Sequence, residues 1–198
     1  MARKFSTDDI ISQNLIKSST QRSIKSMIVN QFPLFKDTID VVLPKKGNLI
    51  LAKCQDHLTL LMVGGEIVFF QKRDGPWIPS LRLVHKYPTM MSRMQVDKGA
   101  LKFILRGSNV MCPGLTSEGG AMDDVERGAV VVGSPLCASN VNSQQIFVDG
   151  RENACAVGVT TMSTSEIREK NKDICIENLH YLNDGIWKFN TATSEAAG

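Results

Sequence analysis

Few residues of this sequence have the types and spacing that enzyme or metal chemistry requires. Cys54 and His57 form a Cys-x-x-His half-site, but no second half follows at the spacing of a zinc finger, so we predict no bound metal. The sequence also contains no nucleophile elbow, Walker phosphate loop, dinucleotide fingerprint or zinc-protease motif. We therefore expect no catalytic residue, no cofactor and no enzymatic activity.

Positive charge offers a different chemistry, because it is concentrated in one part of the chain. The segment from Lys72 to Arg106 holds eight Lys and Arg residues against two Asp, a net charge of +6 in a chain whose total is +3. Lys and Arg side chains gain binding free energy by releasing counterions from a phosphate backbone. The segment therefore predicts an RNA-facing patch, with an ordinary solvated surface as the alternative.

A helix in this segment would carry positive charge on one face. Asp97 suits its N-cap and Gly107 its end, so we predict a helix over residues 97–106. Phe103 would lie about 160° from Leu105 at 100° per residue, where it would contact RNA or a neighbouring domain. The apolar side of the helix would carry Ala100, Leu101, Ile104 and Leu105. The basic side would carry Gly99, Lys102 and Arg106.

The segment after this helix predicts a close approach of backbone to ligand. It reads Met-Cys-Pro-Gly-Leu-Thr-Ser from Met111 to Ser117, and Gly114 has no Cβ to hold a phosphate or base away. A simple turn is the alternative, but the adjacent basic helix favours binding. The predicted RNA-binding residues are Lys98, Gly99, Lys102, Phe103, Arg106, Met111, Cys112, Pro113, Gly114, Leu115, Thr116 and Ser117.

The first half of the sequence predicts a mixture of helices and strands. One helix would be capped within Ser18 to Thr20 and stop at Pro33, and a second would run from Leu34 to Leu43. Asp74 to Pro79 is typical of a rigid loop, after which Ser80 would cap a short helix ending before Pro88. The predicted strands are Leu49–Cys54, Leu58–Val63 and Glu66–Gln71, with Gly64-Gly65 as a hairpin turn.

The second half predicts short strands, which is typical of a small barrel. It begins after the Met-rich boundary segment Thr89 to Gln95, and one helix from Ser165 to Lys172 interrupts it. Gly133 to Gln145, rich in Ser, Asn and Gln, predicts a long surface loop. The predicted strands are Asn109–Cys112, Ala129–Val132, Ile146–Asp149, Ala154–Thr160, Ile174–Leu182 and Ile186–Phe189.

Composition indicates a folded protein of the cytoplasm. Of the 198 residues, 42% are hydrophobic and 22% charged, as in ordinary globular domains. No stretch approaches the roughly 18 apolar residues of a membrane-spanning helix, and the start of the chain lacks the apolar core of a signal peptide. The five cysteines are widely spaced, and we expect reduced, mostly buried thiols.

Several motifs of the second half resemble the PUA domain of pseudouridine synthases and archaeosine transglycosylases, which use it to hold RNA. The catalytic domains of those enzymes have no counterpart in this sequence, so the resemblance implies RNA binding without the chemistry. The motifs are Val96–Ala100, Asn109–Leu115, Ala156–Val159 and Met162-Ser163.

Nearly the whole chain resembles the family of malignant T-cell-amplified sequence proteins. The resemblance implies a partner, density-regulated protein, and a combined architecture like that of ligatin. It also implies work on the small ribosomal subunit in reinitiation, release of deacylated tRNA and recycling. The sequence departs from the family at Gly133 to Gln145 and in its first twenty residues. The motifs are Gln31–Pro33, Pro44–Lys46, Gly65–Phe70, Asp74–Pro76, Leu81–Pro88, Met111–Ser117 and Ile176–Gly185.

We therefore predict an α+β chain in three parts. A small N-terminal α+β domain would cover residues 1–92 and dock the partner, a PUA domain with a pseudo-barrel of short strands and helices would cover 93–190, and 191–198 would be a disordered tail. The first domain has more aromatic residues than its core needs, and surplus aromatics often anchor interfaces. The predicted docking residues are Phe69, Phe70, Trp77 and Ile78, unless Phe69 faces inward and Trp77 covers a seam between domains.

The functional prediction is a non-enzymatic, cytoplasmic translation factor that binds ribosomal RNA or the acceptor end of tRNA. Its partners would be the small ribosomal subunit and a density-regulated-protein homologue, with no membrane involved. Two alternatives from other classes remain open: an accessory of an RNA-modifying enzyme, and a protein-interaction adaptor whose basic segment is only solvated surface.

Overall fold

The computed structural model describes residues 5–45, 47–135 and 154–189. Its contacts divide the chain into two compact units. The first is built from the chain up to Met91 together with the segment from Leu182 onward, and the second runs from Ser92 to Tyr181. Helices and strands occur in both units, which confirms the predicted α+β class.

An antiparallel five-stranded sheet forms the centre of the first unit, with its strands in chain order. Residues Gly64 and Gly65 make the turn between the third and fourth strands with φ angles of +60° and +87°, as the hairpin prediction requires. The strands are β1 (Ile10–Leu15), β2 (Leu49–Cys54), β3 (Leu58–Val63), β4 (Glu66–Lys72) and β5 (Trp77–Pro79), and the helices are α1 (Ser18–Gln31), α2 (Ile39–Val42) and α3 (Leu81–Lys86).

The first unit differs from the sequence prediction where local signals were weak. Lys17, not one of the following hydroxyl residues, is the N-cap of α1, and its side chain makes no capping hydrogen bond. The second predicted helix is broken into a 3₁₀ turn at Pro33–Phe35 and α2. Both β1, which was not predicted, and β5, which was predicted as loop, gain their strand structure from pairing with a neighbouring strand.

The four residues predicted to dock a partner are buried, so they are not an exposed surface. Phe69 is 0% exposed and packs among Phe32 and Phe35, with ring centroids 6.4 and 6.3 Å away. The prediction treated these aromatics as surplus to the core, and it was wrong because this sheet uses them as core. The exposed fractions of Phe70, Trp77 and Ile78 are 3%, 4% and 1%.

The last described segment also departs from prediction, because residues 185–189 are helical and not a strand. Asp184 explains the difference: its carboxylate accepts the backbone N–H of Trp187 at 2.9 Å, as a helix-capping residue does. The contacts place this segment in the first unit, where the rings of Phe5 and Phe189 lie 6.2 Å apart. The sequence-based division had assigned it to the second domain.

A six-stranded sheet forms the second unit. The strands are β6 (Arg93–Val96), β7 (Val110–Met111), β8 (Ala121–Met122), β9 (Val130–Pro135), β10 (Ala156–Thr160) and β11 (Ile174–Tyr181), and the helices are α4 (Lys98–Ile104), α5 (Pro113–Thr116) and α6 (Thr164–Lys170). The strands lie in the order β7-β11-β10-β9-β6-β8. Among the described residues β6 and β9 form the one parallel pair, and β11 is flanked by β7 and β10.

Helix α6, Thr164–Lys170, corresponds to the helix predicted from Ser165 to Lys172, but it begins one residue and ends two residues earlier. Ser163 and Glu166 form a capping box at its start, and Asn171 ends it in the left-handed conformation with φ of 45°. Three earlier predictions lie outside the described residues, namely the strand at Ile146–Asp149, the tail at 191–198 and all of the 133–145 loop beyond Pro135. Residues Gly133 to Pro135 belong to β9.

Four cysteines are described, and all are buried thiols, as predicted. Burial is the main reason that the pKa of Cys54 and of Cys155 is raised from 9.0 to about 11. Burial and then the neighbouring Cys112 raise the pKa of Cys175 to about 12. Cys137 lies outside the described residues.

These raised pKa values predict a loss of stability in alkaline solution. Above the ordinary thiol pKa of 9.0 the unfolded chain releases protons that the folded chain keeps until about pH 11, so the free energy of unfolding must fall across this interval. Urea unfolding at pH values of about 8 and 10 measures the fall. Cys155→Ala should reduce the difference between the two values, and an unchanged difference would contradict the assignment.

Candidate nucleic-acid interface

A groove of about 730 Å³ lies in the second unit, bordered by α4, β7 and α5 and by the start of β11. The residues that line it are Asp97, Gly99, Ala100, Lys102, Phe103, Ile104, Ser108, Asn109, Val110, Met111, Pro113, Gly114, Ser117 and Ile174. The groove thus contains parts of both segments that the sequence singled out, and the fold brings them to one surface.

Exposed apolar side chains give the groove its character. Phe103, Met111 and Ile174 are 51%, 49% and 42% exposed, and they are the large hydrophobic residues that the described part of the second unit leaves exposed. Met111 on β7 and Ile174 on β11 are cross-strand partners. A cluster of exposed apolar side chains in one concave surface is typical of a binding site.

Positive charge lies beside this apolar surface. Lys98, Lys102 and Arg106 are all exposed, as the helix prediction required. The Lys102 ammonium lies 5.0 Å from the centroid of the Phe103 ring, within the range of a cation–π contact. No carboxylate of the described residues forms an ion pair with these three cations. Their charge is therefore available to an anionic ligand.

Helix α4 is oriented somewhat differently from the prediction. Ile104, 1% exposed, is its buried residue, whereas Leu101 and Leu105 are only half-buried. The predicted basic side is correct, and so is the outward position of Phe103. The shift follows because the helix ends at Ile104, so Leu105 is the C-cap and does not continue its face.

Asp97 holds the two sides of the groove together. One carboxylate oxygen accepts the N–H of Ala100 at 2.9 Å and so caps α4, and the other accepts the Ser117 hydroxyl at 3.1 Å just after α5. The backbone N–H of Asp97 donates to the carbonyl of Gly114 at 2.9 Å. These bonds fix the start of α4 against α5 from both the side chain and the backbone.

The predicted Met111–Ser117 loop is a short helix, α5, over much of its length, and this divides its residues. Met111, Pro113 and Ser117 are exposed and line the groove. Thr116 is half-buried and its hydroxyl donates to the carbonyl of Cys112 at 3.1 Å. The remaining three are buried: the side chains of Cys112 and Leu115 are not accessible to RNA, and Gly114 is buried as well.

Gly114 is needed for packing rather than for an unusual backbone angle. A Cβ at this position would lie 3.3 Å from the Cβ of Ala100 and 3.7 Å from a carboxylate oxygen of Asp97. Both contacts lie at the start of α4, so the missing side chain lets α4 and α5 approach closely. This explanation differs from the direct approach of backbone to RNA that the sequence suggested.

Two residues of β11 were missed by sequence reasoning. Ile174 contributes an exposed apolar side chain, but nothing in its sequence context distinguishes it from a buried strand residue. Asn178 donates from its amide to the carbonyls of Ile104 and Ser108, both at 3.0 Å, and so fixes the end of α4. Its place in the Ile176–Gly185 motif was the available signal, and that motif assigns it no role.

The described residues contain no group of three or more His, Cys, Asp or Glu side chains that could hold a metal ion. The thiol of Cys54, in the Cys-x-x-His half-site, is buried, and burial raises its pKa to about 11. Within the described ranges, no helix has the length and apolar character needed to cross a membrane.

Comparison with known proteins identifies the class of fold. The model of the Pre-PUA-like domain matches residues 5–88. A hypothetical protein from Pyrococcus horikoshii superposes with a TM-score of 0.69 over 90% of this chain and 99% of its own, at 19% identity. A conserved PUA domain protein from Thermoplasma acidophilum superposes with a TM-score of 0.60 over 89% of this chain and 98% of its own, at 20% identity. The chain therefore has the fold of a two-part pre-PUA and PUA protein.

Sequence relatives are more specific. A malignant T-cell-amplified sequence 1 homolog from Drosophila melanogaster is 47% identical, over 95% of this chain and 97% of its own length. Translation machinery-associated protein 20 from Schizosaccharomyces pombe is 45% identical over 95% of this chain and 98% of its own length. The protein of the same name from Saccharomyces cerevisiae is 43% identical over 96% of this chain and 98% of its own length. The chain belongs to the malignant T-cell-amplified sequence 1 family.

The packing of Gly114 predicts how Gly114→Ala behaves. The new methyl group would lie 3.3 Å from the Ala100 Cβ, so α4 and α5 must shift apart by a few tenths of an ångström, which should cost about 1 kcal/mol of stability and alter the groove. Melting temperature and RNA affinity, measured on one sample, test both effects. Ser108→Ala, on the exposed rim, serves as the control. A variant as stable as the wild type would show that α4 and α5 do not need this approach.

Proposed function

We propose that this chain is a non-enzymatic RNA-binding translation factor that acts on the small ribosomal subunit. It contacts ribosomal RNA or the acceptor end of tRNA through the groove formed by α4, β7 and α5. The observation that carries the proposal is that exposed Phe103, Met111 and Ile174 share one surface with three exposed cations that form no ion pair within the described residues, Lys98, Lys102 and Arg106.

This combination suits unpaired nucleotides. Bases that are not in a duplex stack on aromatic side chains, and their phosphates attract nearby Lys and Arg residues. Phe103 offers an exposed ring for one base, and Met111 and Ile174 continue the apolar surface beyond it. Lys102, which lies beside that ring, can contact the adjoining phosphate.

Binding without catalysis fits the groups that line the groove. Asp97 is its one ionisable acid, and both carboxylate oxygens accept hydrogen bonds within the fold. Asp97 therefore acts as a structural residue, and the groove works by holding its ligand.

The relatives support a role in translation. Two of them are named translation machinery-associated protein 20, and each is matched over nearly its full length. The proposal places this chain in the cytoplasm with a density-regulated-protein homologue, in initiation and reinitiation, release of deacylated tRNA and ribosome recycling. An adaptor that binds only proteins is the second candidate, because the groove is largely apolar.

Charge reversal on α4 should weaken RNA binding and reduce its dependence on salt. Lys102→Glu combined with Arg106→Glu removes two phosphate contacts, so the slope of log affinity against log salt should fall by about 1.4 for single-stranded RNA. Fluorescence titration of a labelled single strand at several salt concentrations measures both quantities. Both side chains are exposed, so folding should be preserved.

The matched control is Lys36→Glu with Lys53→Glu, which makes the same charge change on exposed residues of the first unit. It should leave the salt slope nearly unchanged.

Phe103→Ala should weaken binding by about 1–3 kcal/mol with an unchanged slope, because it removes stacking and no charge. If both double variants lose RNA affinity equally, the RNA binding is only non-specific charge attraction, and the protein-binding adaptor is favoured.

The partnership gives a separate prediction. The full chain, mixed with the density-regulated-protein homologue of the same organism, should form a stable complex of one copy each. Sedimentation or light scattering would give its mass. Two separate species at micromolar concentrations would refute the heterodimer and leave the RNA-binding prediction standing.

A further inference from the structure

One edge of the five-stranded sheet is closed by a side chain. The Ser80 N–H donates to the Val68 carbonyl at 2.9 Å, so the backbone groups of Ser80 face β4. This orientation alternates from residue to residue along a strand, so the backbone N–H and C=O of Trp77, three residues earlier, point away from β4. The side-chain amide of Gln31 bonds both of these groups: its oxygen accepts the Trp77 N–H at 3.0 Å, and its NH₂ donates to the Trp77 carbonyl at 2.7 Å. Pro79, the next residue with this orientation, has no N–H.

At the opposite edge, no described strand pairs with the outer side of β1. Ile16 donates to the Leu49 carbonyl at 3.1 Å, and this register continues through Asn14 opposite Leu51. Hydrogen-bonded and non-hydrogen-bonded pairs alternate in an antiparallel ladder. The backbone groups of Gln13 and Leu15 therefore point outward, and no backbone–backbone hydrogen bond within the described residues occupies them.

Strand β1 also has few of the features that protect edge strands. Its sequence, Ile-Ile-Ser-Gln-Asn-Leu, contains neither a charged residue nor proline, the usual guards against added strands. Ile11 and Leu15 are 70% and 66% exposed. The register shift between Ile10 and Ser12 interrupts the first part of the strand but leaves residues 12–15 in regular register with β2.

We propose that the open edge of β1 binds an extended segment of a partner protein as a sixth strand of this sheet. Outward N–H and C=O groups with the spacing of a strand are complementary to another extended polypeptide backbone. The added strand would place alternate apolar side chains against Ile11 and Leu15. The occupant is the protein partner of the proposed function, on which this inference rests. The closed edge at β5 leaves β1 as the available side.

The test is Gln13→Pro in the full chain, with the density-regulated-protein homologue as the probe. Proline removes the outward N–H and puts its ring where the added strand would lie, but it leaves the bonds to β2 intact because the Gln13 N–H does not face β2. The dissociation constant should rise at least about tenfold. Gln13→Thr keeps the N–H and should bind within about twofold of wild type.

Amide hydrogen exchange by NMR gives a readout that needs no variant. In the free chain the Asn14 amide, paired with β2, should exchange slowly, whereas the Gln13 and Leu15 amides should exchange fast. Addition of the partner should slow both fast amides and leave Asn14 unchanged. This measurement decides the matter even if Gln13→Pro fails to fold.

The outcomes separate this inference from the proposed partnership. If the wild type binds and neither Gln13→Pro nor the exchange of Gln13 and Leu15 changes, the β1 site is wrong and the partnership survives. If the wild type does not bind, both fail. If the chain alone forms a dimer that Gln13→Pro dissociates, the edge pairs with a second copy, and the proposed occupant is wrong.

Discussion

The groove depends on one contact, between the start of α4 and α5. Asp97 makes this contact through one carboxylate oxygen, which accepts the Ser117 hydroxyl, and through its own N–H, which donates to the Gly114 carbonyl. Its other carboxylate oxygen caps α4, and Gly114 leaves room for the contact by having no side chain. Asp97, the acid that lines the groove, is therefore the residue that joins its two helical sides.

The other end of α4 is fixed by a different strand. The Asn178 amide binds the carbonyls of Ile104 and Ser108, so β11 holds the helix where its last turn would otherwise fray. The same strand supplies Ile174 to the groove. With both ends held, the exposed side chains of α4 keep their positions without a ligand, which reduces the entropy lost on binding.

The two units offer different kinds of contact. In the second unit the groove combines apolar side chains with cations and suits nucleotides. In the first unit Phe69, Phe70 and Trp77 belong to the core, and the edge strand β1 carries the exposed side chains of Ile11 and Leu15. Side-chain chemistry determines what the groove binds, whereas backbone geometry determines what the edge of β1 binds. Gln31 makes the difference between the two sheet edges, because one amide side chain replaces a whole neighbouring strand at Trp77.

The sequence by itself determined the features that depend on neighbouring residues: the hairpin at Gly64-Gly65, the caps at Ser80 and Asp97, and the basic outer face of α4. Short-range hydrogen bonds and helical periodicity fix these. Only the tertiary structure decided which apolar residues are core and which are surface. Phe69 and Phe103 have the same side chain, yet one is fully buried and the other half exposed. Burial is set by distant segments that pack against a residue, and local sequence carries little information about them.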